Sequence, residues 1–278
     1  MDEFNGLAKL ILFHGRMSLY RNTSIIKLIF FKNAAYFLHL LWFACICMFT
    51  SQRLYDDYMM ALYNFIFTSI PPVFIAFFDT DLPWSVIRDH PEVNRELIRN
   101  KRGSLKSYLG WFAYGAYQSI VYFMLMMTMN KNDVFSLNGK TSGMVASSAI
   151  ITTYTTLGVI ATFATCVKRW NGPIIFGFIV AIISYFFTYI FLASFAGATR
   201  ENMSYFSFWR ALEMPHFYLS TLLAVVLAVT PSILKNYLNR FMNPMNYELM
   251  QVYEKDKERK VNKEMGSRLN SGRYKTLE

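Results

Sequence analysis

Six apolar stretches, almost free of charged residues, occupy most of this chain, and each is long enough to cross a bilayer. A bilayer core is about 30 Å thick, so a spanning helix needs roughly 20 mostly apolar residues. Inside lipid every backbone N–H and C=O must find its partner within the protein. The stretches fall at Leu28–Phe49, Met59–Phe78, Tyr108–Met129, Ser142–Val167, Ile174–Phe195 and His216–Leu234. They predict an all-α, polytopic membrane protein built on a six-helix transmembrane bundle. The expected division is a lead-in over residues 1–27, a six-span membrane domain over 28–235 and a basic tail over 236–278.

Charge supports that reading. Of the 278 residues 54% are hydrophobic and 17% charged, and the charges lie between the apolar runs, where a soluble protein would interleave the two. The net charge of +10 follows membrane topology and is no nucleic-acid signature. Basic residues gather before the first span (Lys9, Arg16, Arg21, Lys27), between the second and third (Arg88 to Lys106), after the fourth (Lys168, Arg169) and in the tail from Lys235 to Lys275. The alternate loops hold only Arg53, then Lys131 and Lys140, then Arg200 and Arg210. By the positive-inside rule both termini are expected in the cytosol, as an even number of spans requires. Leu7 to Phe13 is too short a run for a secretory signal. Cys45, Cys47 and Cys166 fall within spans and read as buried apolar thiols, without zinc spacing or a disulfide framework.

Polar residues inside the spans are the candidates for chemistry. The second span contains Asn64, Thr68 and the tandem Pro71-Pro72. Two prolines remove two backbone donors and are expected to free the carbonyls of Phe67 and Thr68. Such a break is tolerated at depth where neighbours or water satisfy it, often along a transport path. Asn64 and Thr68, four residues apart, share a helix face. They can present an amide and a hydroxyl to a ligand, make an interhelical hydrogen bond, or, for Thr68, bond back to its own helix. Lys32 is the cation set well inside an apolar run, where a charge costs about 2.5–3.5 kcal/mol. Either it snorkels to the nearby interface or it serves a buried role. Asn33 beside it is expected to face the bundle interior. His39 reads as a satisfied core histidine before a proton carrier. Asp79 and Asp81 read as a turn at the end of the second span.

Several of these residues stand in a recognisable order. His14-Gly15-Arg16 with Ser18 and Arg21 is similar to "HGR-x-S-x-x-R"; Phe31-Lys32-Asn33 to "YKN", with Phe for Tyr; and Ser51-Gln52 with Leu54-Tyr55-Asp56 to "SGQ-x-LYD", lacking the Gly. Tyr63-Asn64, Thr68-Ser69 and Pro71 match "YN-x-x-FTS-x-P", with Pro72 as an extra break. Asp79 and Asp81 match "D-x-D", His90-Pro91-Glu92 resembles "PELY", and Pro244, Tyr247 and Gln251 look like "P-x-x-Y-x-x-x-Q". In this order the motifs resemble the C-terminal membrane region of type IV P-type ATPases, the phospholipid flippases.

The resemblance implies a function for the polar residues. Lys32, Asn33, Asn64, Thr68 and Pro71 would lie on the path of a phospholipid headgroup. The chain would be the membrane transport half of an ATP-driven flippase, moving aminophospholipid-like lipids to the cytosolic leaflet of the plasma membrane or of Golgi and endosomal membranes. For the intact pump it implies ATP and Mg²⁺, a catalytic half, and a two-span glycosylated accessory subunit. The sequence holds no D-K-T-G-T, T-G-E or G-D-G-x-N-D motif, so neither a catalytic site nor a cofactor is expected in this chain, which reads as a fragment, a split product or a truncated gene model. The alternative is a free-standing six-span membrane scaffold, or a passive lipid or solute pathway.

Overall fold

A computed structural model describes residues 6–94, 103–129, 144–194, 207–242 and 249–254, together with 256 and 259. Among them all regular structure is helical. The helices are α1 (Gly6–Ile46), α2 (Asp57–Phe78), α3 (Trp84–Asp89), α4 (Leu105–Met129), α5 (Met144–Cys166), α6 (Gly172–Ser194), α7 (Ser207–Leu212) and α8 (Pro215–Met242). A short 3₁₀ turn, Pro91–Asn94, follows α3.

The protein is thus an all-α integral membrane protein, and five of these helices (α1, α2, α5, α6 and α8) are long and apolar enough to cross a membrane. The other expected span, Tyr108–Met129, lies in α4, which is long enough at 25 residues but is diluted by Tyr114, Tyr117, Gln118, Ser119 and Tyr122. The ends also differ from expectation. The first span stops at Ile46, and Met48, Phe49 and Ser51 follow with φ of 50°, 57° and 58°. Cys47 therefore lies in the turn beyond the helix, half-buried, and Cys45 is exposed; the expectation of buried thiols fails because both sit at the rim of the span. Cys166 is half-buried. At the other end of the chain α8 continues past Leu234 to Met242.

The chain divides into two compact units. The larger comprises Leu19–Asp79 and Arg102–Leu234. Its centre is α5: 72% of its most apolar window is buried, against 28–33% in the other four. A helix enclosed on nearly every side still carries Thr152, Thr153, Thr155 and Thr162, because each hydroxyl donates to the carbonyl four residues earlier. Two apolar clusters pack in this unit, one around Tyr36, Tyr63, Phe67, Tyr122, Tyr154 and Tyr185, the other around Leu28, Phe31, Ile75, Phe163 and Phe178. The outer faces expose Phe65, Phe77, Phe187 and Leu222, the side chains a lipid phase would cover.

The smaller unit comprises Met1–Ser18, Thr80–Lys101 and Lys235–Glu278. Leu82, Ile87 and Val93 form its core, with Leu12, Phe13, Trp84 and Met250 packed against them. Arg16 binds this core together. Its guanidinium donates to Asp81 Oδ2 at 2.6 and 3.1 Å, to the Val93 carbonyl at 3.0 Å and to Asn94 Oδ1 at 3.0 Å. Asp81 Oδ1 accepts from the Leu82 N–H, and Gln251 donates to the Asp81 carbonyl at 2.7 Å. The expected role of Arg16 as topological charge is therefore incomplete: its side chain is 3% exposed and ion-paired.

Candidate functional site

The second span is broken in a specific way. Asp56 caps α2 by accepting from the Tyr58 N–H. Nearly two turns on, Tyr63–Phe67 widens into a π-type turn, Thr68 and Ser69 interrupt the helix, and regular α-helix resumes over Ile70–Phe78. Pro71 and Pro72 thus lie in the first turn of a restarted helix, where a missing N–H has no intrahelical partner to lose. The carbonyls that acquire side-chain partners lie upstream of the expected Phe67 and Thr68. Tyr63 O accepts from the Thr68 N–H at 3.1 Å and from Thr68 Oγ1 at 2.6 Å. Asn64 O accepts from Ser69 Oγ and from Lys32 Nζ, the latter at 3.2 Å.

Lys32 is 5% exposed and does not snorkel. Its ammonium crosses to α2 and donates to Ser69 Oγ at 2.9 Å as well as to the Asn64 carbonyl. Tyr63 returns the link: its hydroxyl donates to the Lys32 carbonyl at 3.0 Å. Charge-assisted hydrogen bonds of this kind offset part of the cost of a buried cation. The amide oxygens of Asn33 and Asn64 are buried and have no hydrogen-bond partner among the described residues. Lys32, Asn64 and Ser69 therefore meet. Thr68 does not join them, since its hydroxyl turns back to Tyr63. Asn64 contributes its backbone carbonyl to Lys32, not its side chain.

An aromatic column stands beside this cluster. Tyr36 is stacked between Tyr55 and Tyr63, with ring centroids 4.4 and 3.9 Å apart. Fully buried His39 contacts the Tyr36 carbonyl and the Tyr55 hydroxyl through Nδ1, but its Nε2 is buried with no hydrogen-bond partner among the described residues, so the satisfied core role expected of it is met on one side of the ring only. Burial also raises the Tyr55 phenol well above its usual pKa, so this loop residue stays protonated.

Two further features escaped the sequence reading. Asp79 ends α2 fully buried, and its carboxylate accepts the backbone N–H groups of Lys168 and Arg169 at 3.2 and 3.1 Å, pinning the turn between α5 and α6. Arg21 holds the Asp79 carbonyl at 2.9 and 3.1 Å. The second feature is another proline break. Pro231 inside α8 cannot donate to Leu227, whose carbonyl receives Tyr117 Oη at 3.4 Å. The next carbonyl, Ala228, accepts from Tyr114 and, at 3.1 Å, from Gln118.

Among the described residues no group of three or more His, Cys, Asp and Glu side chains could hold a metal ion. Asn202, Pro244, Tyr247 and the basic run from Arg95 to Arg102 lie outside the described residues.

Comparison with known proteins places this arrangement. Residues 1–245 match the family described as phospholipid-translocating P-type ATPase C-terminal. A probable phospholipid-transporting ATPase 5 of Arabidopsis thaliana is 26% identical over 257 residues, 90% of this chain and 20% of the relative. Phospholipid-transporting ATPase 6 of the same plant is 27% identical over 256 residues, again 90% and 20%. Phospholipid-transporting ATPase FetA of Mus musculus is 27% identical over 255 residues, 88% of this chain and 21% of the relative. The chain spans about a fifth of the length of the curated relatives it matches. An all-helical membrane fold, the ordered motifs and a match over residues 1–245 together make this chain a member of the phospholipid-translocating P-type ATPase family, corresponding to its C-terminal membrane region.

Proposed function

We propose that this chain is the membrane transport half of an ATP-driven phospholipid flippase, moving aminophospholipid-like lipids to the cytosolic leaflet. The observation that carries the reading is Lys32: a buried ammonium, held by neutral oxygens, at a break in the neighbouring span. A cation kept at bilayer depth is costly, and where it persists it commonly marks a substrate path. Lys32, Asn33, Asn64, Thr68 and Pro71 line that path in this reading. Lys32 offers positive charge to a headgroup phosphate, the two asparagines offer amide groups, and Thr68 and Pro71 hold the break open. The acyl chains stay in lipid.

In the same reading a catalytic half supplies the work through ATP and Mg²⁺, and a two-span glycosylated subunit accompanies the pump. Six spans place both termini in the cytosol, with the protein in the plasma membrane or in Golgi and endosomal membranes.

The test is a full-length pump carrying this chain as its C-terminal region. Lys32→Ala and Asn64→Ala lower lipid-stimulated turnover by roughly tenfold, the scale of one lost charge-assisted contact. Phosphoenzyme formation persists, because that chemistry occurs elsewhere. Unchanged lipid stimulation in both variants would remove the proposed path.

A further inference from the structure

At the α2 break two neutral oxygens, the Asn64 carbonyl and the Ser69 hydroxyl, converge on one ammonium. The Asn64 carbonyl receives Lys32 Nζ and the Ser69 hydroxyl, and Ser69 Oγ receives Lys32 Nζ at 2.9 Å. The amide oxygens of Asn33 and Asn64 are buried acceptors with no partner among the described residues. The group that fills this receptor is the end of a lysine, a primary ammonium with three N–H donors on one tetrahedral nitrogen. A phospholipid headgroup that ends in a primary amine carries the same group on a shorter stem, two carbons from its phosphate ester.

We propose that Lys32 is the resting occupant of an ammonium receptor, and that a primary-amine phospholipid displaces it. The headgroup ammonium takes the Asn64 carbonyl and the Ser69 hydroxyl, and the released Lys32 ammonium swings to the headgroup phosphate. The exchange rests on the lipid-path reading above. It replaces one cation by another at the receptor and gives the incoming phosphate a counter-charge, so no unpaired charge enters the bundle. A quaternary ammonium has no N–H and leaves the acceptors unfilled; against it Lys32 stays in place. Buried acceptors that lose their donors discriminate more strongly than apolar contacts do. Ser69 is thereby a specificity-determining residue. Tyr63 is a positioning residue, since its hydroxyl holds the Lys32 backbone carbonyl at 3.0 Å while the side chain moves.

The experiment uses the purified full chain in detergent micelles with ¹⁵N-labelled lysine. The Lys32 ammonium signal is assigned by its loss in Lys32→Met. Four probes with identical acyl chains are added in turn: phosphatidylethanolamine, its N-methyl and N,N-dimethyl forms, and phosphatidylcholine. Lipid retention and the Lys32 signal are both read. Retention falls along the series, by roughly three- to tenfold between the ends. The Lys32 signal moves with phosphatidylethanolamine and stays with phosphatidylcholine. Ser69→Ala flattens the series, while Ser69→Thr, which keeps the hydroxyl, restores it. Retention of phosphatidylethanolamine with an unmoved Lys32 signal overturns the exchange, and so does an unchanged series in Ser69→Ala. Those outcomes leave the lipid path standing. A folded wild-type chain that retains none of the four lipids overturns the path itself. The wild-type Lys32 signal decides the matter without any variant, should Ser69→Ala fail to fold.

Discussion

A lysine ammonium buried in a protein needs oxygen partners, and the α2 break supplies Lys32 with two, the Asn64 carbonyl and the Ser69 hydroxyl. In a regular helix a residue pairs with those three and four positions away, so Asn64 would share its row with Thr68. The wide turn over Tyr63–Phe67 adds one residue and brings position i+5 into reach instead. That is why Tyr63 pairs with Thr68 and Asn64 with Ser69. Lys32, Asn64 and the break were legible from hydropathy and prolines; Ser69 was not, because ordinary helical spacing puts it on another face. The same scale explains the Gly missing from the "SGQ-x-LYD" resemblance. Counting back from Leu54-Tyr55-Asp56, the Gly position is Ser51, and Ser51 has φ of 58°, the left-handed region that favours glycine. Ser51→Gly relieves a cost of about 1 kcal/mol and should raise the thermal unfolding midpoint in detergent. A lowered midpoint would show that the Ser51 side chain contributes more than its backbone costs.

At the scale of elements, small residues set how closely the helices approach. A Cβ added at Gly115 on α4 would lie 2.7 Å from the Phe31 carbonyl oxygen and 2.8 Å from the Ala34 Cβ, both on α1. The first neighbour is backbone and cannot turn aside. Gly115→Ala should therefore destabilise the bundle by about 1–3 kcal/mol, the usual cost of overpacking, read as a drop in detergent resistance. An unaltered midpoint would mean that α1 and α4 separate freely. The α8 break shows the complementary device, with Tyr114, Tyr117 and Gln118 of α4 supplying donors to carbonyls near Pro231. Those three residues are also among the ones that lower the apolarity of α4. Hydropathy reads them as dilution; the packing shows them serving a neighbour's backbone.

At the scale of the whole molecule, the two units make separate demands. In the smaller, Arg16 and Asp81 form a buried pair with side chains 3% and 1% exposed. Arg16→Met leaves a buried carboxylate unpaired and should cost about 3–5 kcal/mol, seen as faster hydrogen exchange over residues 80–94 and 249–254. Arg16→Met with Asp81→Leu removes both charges and should recover most of that loss. Equal damage in the single and double variants would assign the effect to lost packing. The proposed topology has its own check. Asn22-Thr23-Ser24 is expected on the cytosolic side and should never carry glycan, whereas Asn202-Met203-Ser204 is expected on the outer side and is open to it. Glycan on Asn22 in cells would overturn the arrangement.

Apolar runs of membrane-spanning length dictate the all-helical membrane class without further information, because lipid offers the backbone no other partner. Motif order along the chain was likewise enough to indicate the family. The partners inside the fold required three dimensions. Nothing in the spacing of Arg16 and Asp81, 65 residues apart, or of Asp79 and the turn at Lys168, 89 residues apart, marks them as contacts. Each reads locally as a surface charge near a helix end, and only the folded chain buries it against a chosen donor or acceptor. The same holds for the Lys32 receptor: composition supplies a cation and a set of oxygens, but the extra residue in one turn of α2 decides which oxygens face it.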